Sequence, residues 1–174
     1  MLARQGALVT WSDQAPVLSL LRENLALNLP DATAAFDVRE LDWQTTDLAE
    51  FKRVKWNVIV ASDVVFKNES TDALLAALHA LADDSTRIYV GEELRDPAVH
   101  EHFVAAASTL FELKSIPRAK FVTNGDARLE EEREFVLLWT LRRRKPAPPF
   151  IDAESASCVA NVDNDNVDAP LDDD

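Results

Sequence analysis

Glycine is the most informative scarcity in this 174-residue chain. There are three, Gly6, Gly91 and Gly125, and no two lie closer than 34 positions. Loops that cradle phosphates need clustered glycines so that the backbone can approach the ligand. A GxGxxG turn, a P-loop and a G-x-S-x-G elbow are therefore excluded within the chain. Cysteine is scarcer still. The single Cys158 allows no internal disulfide and no thiolate zinc site, and fits a reducing compartment. None of the three histidines (His79, His100, His102) builds an HExxH pair, and two neighbouring imidazoles without a third ligand make a poor metal site. No apolar run nears the roughly twenty residues of a membrane span, and Met1 to Trp11 lacks the pattern of a secretory signal. Positive charge is short as well. With 18 Lys and Arg against 31 Asp and Glu, the net charge is −13, which argues against nucleic acid as a partner. The expectation is a soluble, cytoplasmic protein that meets neither membrane nor nucleic acid.

The charge that is present is unevenly placed. Of the 31 acids, eight lie in residues 146–174 with no Lys or Arg among them, leaving 23 acids against 18 bases in the rest. The body is a mildly acidic domain, 1–145, followed by an acidic tail, 146–174, rich in Asp, Asn and Ala and expected to be disordered. Asp163-Asn164-Asp165-Asn166 is not a calcium loop, because Asp168 and Asp174 stand where such a loop needs Gly and Glu. The basic run Arg142 to Lys145 reads as a solvated strand end, with a weak nuclear signal or a contact for an acidic partner as the other readings.

Hydrophobic periodicity supplies the architecture. Residues 7–11 read as a strand, with Ser12-Asp13 as N-cap candidates for a helix carrying Val17, Leu18, Leu21 and Leu25. Phe36, Val38 and Leu41 suggest a second strand ending at Asp42-Trp43. Val58-Ile59-Val60-Ala61 is a continuous apolar run, as expected of a strand buried on both faces of a parallel sheet. A helix over 69–82, a strand over 87–91, a helix opened by Asp96-Pro97 and two strands at 110–116 and 134–141 follow, the last two closing as an antiparallel hairpin. Between them, 117–133 reads as a loop with a helical turn around Arg128–Glu132. His100 and His102 flank Glu101 and are expected on a solvated helix face. The fold class is α/β with a mostly parallel sheet.

In such sheets ligands bind beyond the carboxyl ends of the strands. Asp13, Asp42-Trp43 and Ser62-Asp63 end three successive strands in that position. A carboxylate at the first strand end can accept the hydroxyl protons of a ribose. An indole beside the second can stack on a purine, and a carboxylate at the third can hold an ammonium or orient an amine. Each also has a plainer explanation: Asp13 alone is as readily an N-cap as a ligand, and Trp43 alone is more readily core packing. Asp63, set between a buried run and Val64-Val65, is hardest to explain by structure alone.

Val9-Thr10-Trp11-Ser12-Asp13 followed by Leu20-Leu21-Arg22-Glu23-Asn24 and Asn28 resembles the second strand and next helix of class I methyltransferases. Glu40-Leu41-Asp42-Trp43 with Trp56 to Phe66 narrows this. The pattern looks like lysine methyltransferase family 16, S-adenosyl-L-methionine-dependent enzymes that modify chaperones, translation factors and related ATPases. The similarity runs over about 1–144. It implies a Rossmann-like sheet, S-adenosyl-L-methionine as cofactor, a monomer and a protein substrate. It also implies that Asp13 binds the cofactor ribose, that Trp43 lies against the adenine with Asp42 beside it, and that Ser62 contacts the cofactor through its backbone. Asp63 begins the family's D-x-x-Y signature near the incoming lysine. Phe66 takes the place of its aromatic, keeping a ring for the methylammonium without the hydroxyl. Residues Glu92–Arg95, 110–116 and 117–133 would form the substrate side. The family's first strand and glycine-rich turn are expected before Met1, so the chain reads as an N-terminally truncated domain whose activity is in question. The competing expectations are a non-catalytic, methyltransferase-like protein-binding module and a nucleotide-binding fragment of another family.

Overall fold

The computed structural model describes residues 3–29, 37–117, 120 and 135–144. The acidic tail and most of the 117–133 segment, with its expected helical turn, lie outside the described residues. Among the described residues six strands and four α-helices follow in the order β1 Thr10–Asp13, α1 Leu18–Asn28, β2 Asp37–Glu40, α2 Ala49–Lys52, β3 Val58–Ser62, α3 Asn68–Leu81, β4 Arg87–Glu93, α4 Pro97–Leu110, β5 Phe111–Ser115 and β6 Val136–Arg143. Short 3-10 turns at Ala3–Gln5 and Ala15–Val17 precede β1 and α1.

The strands form two sheets. β1 and β2 pair in parallel, Thr10 opposite Asp37 and Asp13 opposite Glu40. The larger sheet has the order β3-β4-β6-β5, with β3 and β4 parallel and β6 antiparallel to both β4 and β5. The expected hairpin is present, and its second strand inserts between β4 and β5. The result is an α/β Rossmann-like fold.

The core sits where α3 and α4 cover this larger sheet. Along β4 every second residue, Ile88, Val90 and Glu92, points inward, as strand alternation dictates. Leu74, Leu75 and Leu78 of α3 recur at helical spacing and meet Phe103 and Ala107 of α4, Phe111 of β5 and Leu141 of β6. Asp96 caps α4 by accepting from the Ala98 N–H at 2.9 Å, with Pro97 in the first turn.

Three local expectations need correction. β1 begins at Thr10 and ends with Asp13, so Ser12 and Asp13 are strand residues rather than helix caps. β3 is not buried on both faces: Val58 and Val60 are exposed, Val60 by 61 %, while only Ile59 and Ala61 turn toward the core. No ladder among the described residues pairs the other edge of β3. His100 and His102 are not simply solvated, since each ring is bonded to a carboxylate.

Candidate functional site

Parallel pairing sets the site. Because β1 and β2 run the same way, Asp13 and the residues after Glu40 emerge at one end of the ladder, the end at which α/β sheets bind ligands. The Leu41 N–H donates to the Asp13 carbonyl at 2.9 Å, extending the ladder by one bond and bringing Asp42 next to Asp13. Asp13 Oδ1 accepts from the Gln14 N–H at 2.8 Å. The Gln14 side-chain amide reaches Asp42 Oδ2 at 3.4 Å, so one glutamine spans the two carboxylates. Asp42 is held in a tight turn, its Oδ1 accepting from the Gln44 N–H and its own N–H donating to Thr46 Oγ1. Trp43 is half-buried and packs on the hydrophobic core. Both readings of that indole, core packing and ligand platform, therefore fit its place.

The ladder beneath is tied by polar contacts. Asp37 accepts from the Thr10 hydroxyl and from Arg39. Those bonds, Thr10 first, hold its carboxyl below the ordinary value against the opposing effect of partial burial.

The third strand end is built differently. Ser62, exposed, ends β3 opposite Gly91. A side chain at Gly91 would come within 3.3 Å of Leu138, so glycine lets β4 and β6 lie close here. Asp63 follows with φ 57°, the left-handed region that few non-glycine residues enter. Its N–H donates to the Gly91 carbonyl at 2.9 Å, which fixes that conformation. Strained backbone of this kind clusters at ligand sites. The Asp63 carboxylate faces outward and lies 3.2 Å from Arg95 Nη2, while the same guanidinium is bound by Glu93 at 2.7 Å. The Glu93 bond and then the charges of Asp63 and Glu93 raise the Arg95 pKa above its ordinary value. Phe66 stands beyond, 49 % exposed, at the mouth of a small cleft also lined by Leu94, Arg95, Val99 and His100.

The structure thus joins Asp13, Asp42 and Trp43 at one pair of strand ends and Ser62, Asp63 and Phe66 at the other. Glu92 and Arg95, expected on the substrate side, gain partners that sequence reasoning missed: Arg95 pairs with Asp63, and a buried Glu92 is bonded to His100 and Trp139. The signals were present. Glu92 keeps the inward phase of Ile88 and Val90, and His100 the inward spacing of Phe103 and Ala107. Among the described residues no cluster of three or more His, Cys, Asp and Glu could hold a metal.

A family model described as lysine methyltransferase matches residues 1–109. No curated protein matches the chain significantly. Among solved structures, a TehB-like SAM-dependent methyltransferase from Corynebacterium glutamicum aligns with TM-score 0.57 and 16% identity over 82% of this chain and 72% of that one. Human N-acetylserotonin methyltransferase in complex with SAM aligns with TM-score 0.50 and 12% identity over 83% of this chain and 43% of that one. At these identities the likeness is one of fold.

Proposed function

Because this chain belongs to the lysine methyltransferase family, we propose that it is an S-adenosyl-L-methionine-dependent methyltransferase acting on a lysine side chain of a protein substrate. The observation that carries this reading is the set of carboxylates, Asp13, Asp42 and Asp63, at or just past the carboxyl ends of parallel strands, the last held in a left-handed turn. The residues present fit the nucleoside half of the cofactor. A ribose diol needs an acceptor pair, and Asp13 Oδ2 accepts no bond among the described residues. Trp43 offers the adenine what the core leaves open of its ring, and Asp42 stands beside it. Ser62 meets the cofactor through its backbone. When bound, the cofactor supplies an electrophilic methyl group. Asp63 and Phe66 form the amine end, with the carboxylate attracting the ammonium and the ring receiving its methylated form. Alignment and desolvation of the amine then carry the catalysis, and no covalent nucleophile is required.

By the same resemblance the substrate belongs with chaperones, translation factors or ATPases, met in the cytoplasm by a monomer. The test is calorimetric binding of S-adenosyl-L-methionine and S-adenosylhomocysteine to the full chain. Transfer of a labelled methyl group to protein would be mapped by mass spectrometry in parallel. Asp13→Ala is expected to weaken cofactor binding about tenfold. Absence of cofactor binding would sink the reading. One observation favours a second reading, a non-catalytic protein-binding module: Val58 and Val60 lie exposed on the outer face of β3, whose other edge no described ladder pairs. That module would melt cooperatively and bind a protein with no cofactor present.

A further inference from the structure

Glu92 occupies the third inward position of β4, after Ile88 and Val90, and its side chain is 2 % exposed. A carboxylate in an apolar row is unfavourable unless donors meet it. Two do, both at the same oxygen: His100 Nδ1 at 2.6 Å and the Trp139 indole N–H at 3.0 Å. An ionised carboxylate only accepts, so the neutral imidazole carries its proton on Nδ1 and its lone pair on Nε2. Among the described residues Nε2 has no hydrogen-bond partner. The His100 side chain is 24 % exposed and lines the cleft of about 50 Å³ that Phe66 also lines. The ring is further held by Trp139, whose centroid lies 5.9 Å away. Glu93 and Asp96 border the same cleft against one cation, Arg95, so its charge suits a cationic guest.

We propose that His100 receives the ammonium of the substrate lysine through Nε2 and takes its proton, with Glu92 and Trp139 as positioning residues. This deepens the methyltransferase reading above and rests on it. A lysine side chain arrives as an ammonium, because its ordinary pKa is about 10.4. A proton passes from lysine Nζ to His100 Nε2, and the Glu92 carboxylate offsets the charge that the ring gains, as in other carboxylate–imidazole pairs. The lone pair so freed forms the N–C bond to the methyl group as the S–C bond breaks. The sulfur keeps that electron pair and S-adenosylhomocysteine leaves. The exposed edge of His100 then returns the proton to water.

The experiment uses the full chain labelled with 15N-histidine and n-butylammonium as the probe of a lysine side chain. Long-range 1H–15N spectra of the unliganded protein should show the neutral His100 ring protonated on Nδ1. Adding n-butylammonium should move the Nε2 signal of His100 saturably and leave His79 and His102 in place. Glu92→Leu should mix the two tautomers and weaken the n-butylammonium response about tenfold, whereas Glu92→Gln, which keeps an acceptor, should retain the Nδ1–H form. A neutral ring protonated on Nε2 in the wild-type chain overturns the proposal, as does an Nε2 signal indifferent to n-butylammonium. Neither result needs a variant to fold. An unchanged tautomer in Glu92→Leu would overturn the role of Glu92. S-adenosylhomocysteine binding is measured on the same sample. A His100 response without that binding supports the ammonium site and sinks the methyltransferase reading, and the reverse result sinks the site alone.

Discussion

The two sheets bury their residues very differently. In β3-β4-β6-β5, Ile88, Val90, Phe103, Phe111 and Leu141 are wholly excluded from water between strands and the helices α3 and α4. In β1-β2 no strand residue is fully buried, and α1 contributes Leu25 alone, with Leu20 and Leu27 exposed on the same helix. The smaller sheet instead relies on polar ties, Thr10 and Arg39 to Asp37, and on Arg39 lying 5.8 Å from the centre of the Phe51 ring. Apolar burial stabilises by roughly 25 cal/mol per Å², while exposed ion pairs contribute little. The half that carries Asp13 and Asp42 is therefore the weaker half, and the half that carries Asp63, Glu92 and His100 is the stable one.

The sharpest way to break this comparison is to truncate one core residue in each half. Phe103→Ala is expected to cost about 3–5 kcal/mol by urea unfolding, because β4, β6 and α3 cannot close around the void. Leu25→Ala should cost about 2 kcal/mol, at the low end for such a change. Its effect should appear first as faster amide exchange in β1-β2, with β4 and β6 still protected. Equal costs at the two positions would show that the halves share one core.

How far the sequence discloses this follows from what each residue must satisfy. Helix α4 was readable to its first residue, because Asp96-Pro97 is a local signal that needs no partner elsewhere. The core leucines of α3 were readable from spacing. Burial of β3 was not, because an apolar run states what a strand prefers to bury and not whether another element is there to cover its second face. Asp13, Asp42 and Asp63 were readable as strand ends. The pairing of Asp63 with Arg95 spans 32 positions, and that of Glu92 with Trp139 spans 47. Such contacts depend on strand order, in particular on β6 lying beside β4, which no local pattern encodes.

Within the stable half, helix ends should matter less than the core. Asp96→Ala removes the acceptor for the Ala98 N–H and is expected to cost about 1 kcal/mol in the same urea assay. A loss comparable with that of Phe103→Ala would mean that α4 depends on its cap rather than on its packing.

The turn between α3 and β4 gives a pH test of the same half. Asp83 accepts from the Ser85 hydroxyl and N–H and from Thr86, and these bonds, with Ser85 first, lower its pKa to about 2 from 3.8. The folded value lies below the unfolded one, so this contribution is present above about pH 4 and is lost as pH falls toward 2. The group is open to solvent, so the effect is small. Asp83→Asn should flatten that part of the acid stability curve and leave the rest unchanged. An unchanged curve would assign the acid sensitivity to other carboxylates, Asp37 in the weaker half being the next to test.

The smallest expected effect lies on the outer face of β3. Val60 is on β3, whose inward neighbours Ile59 and Ala61 pack on the core, yet its own side chain faces water. Valine and threonine share a shape, so Val60→Thr tests burial alone. A hydroxyl placed in an apolar site without a partner costs about 1–3 kcal/mol, whereas at an exposed position the change should stay within about 0.5 kcal/mol. A near-zero cost would establish that the outer face of β3 is open in this chain. A cost of 1 kcal/mol or more would mean that something covers that face in solution, and the stable half would then be buried on both sides of β3.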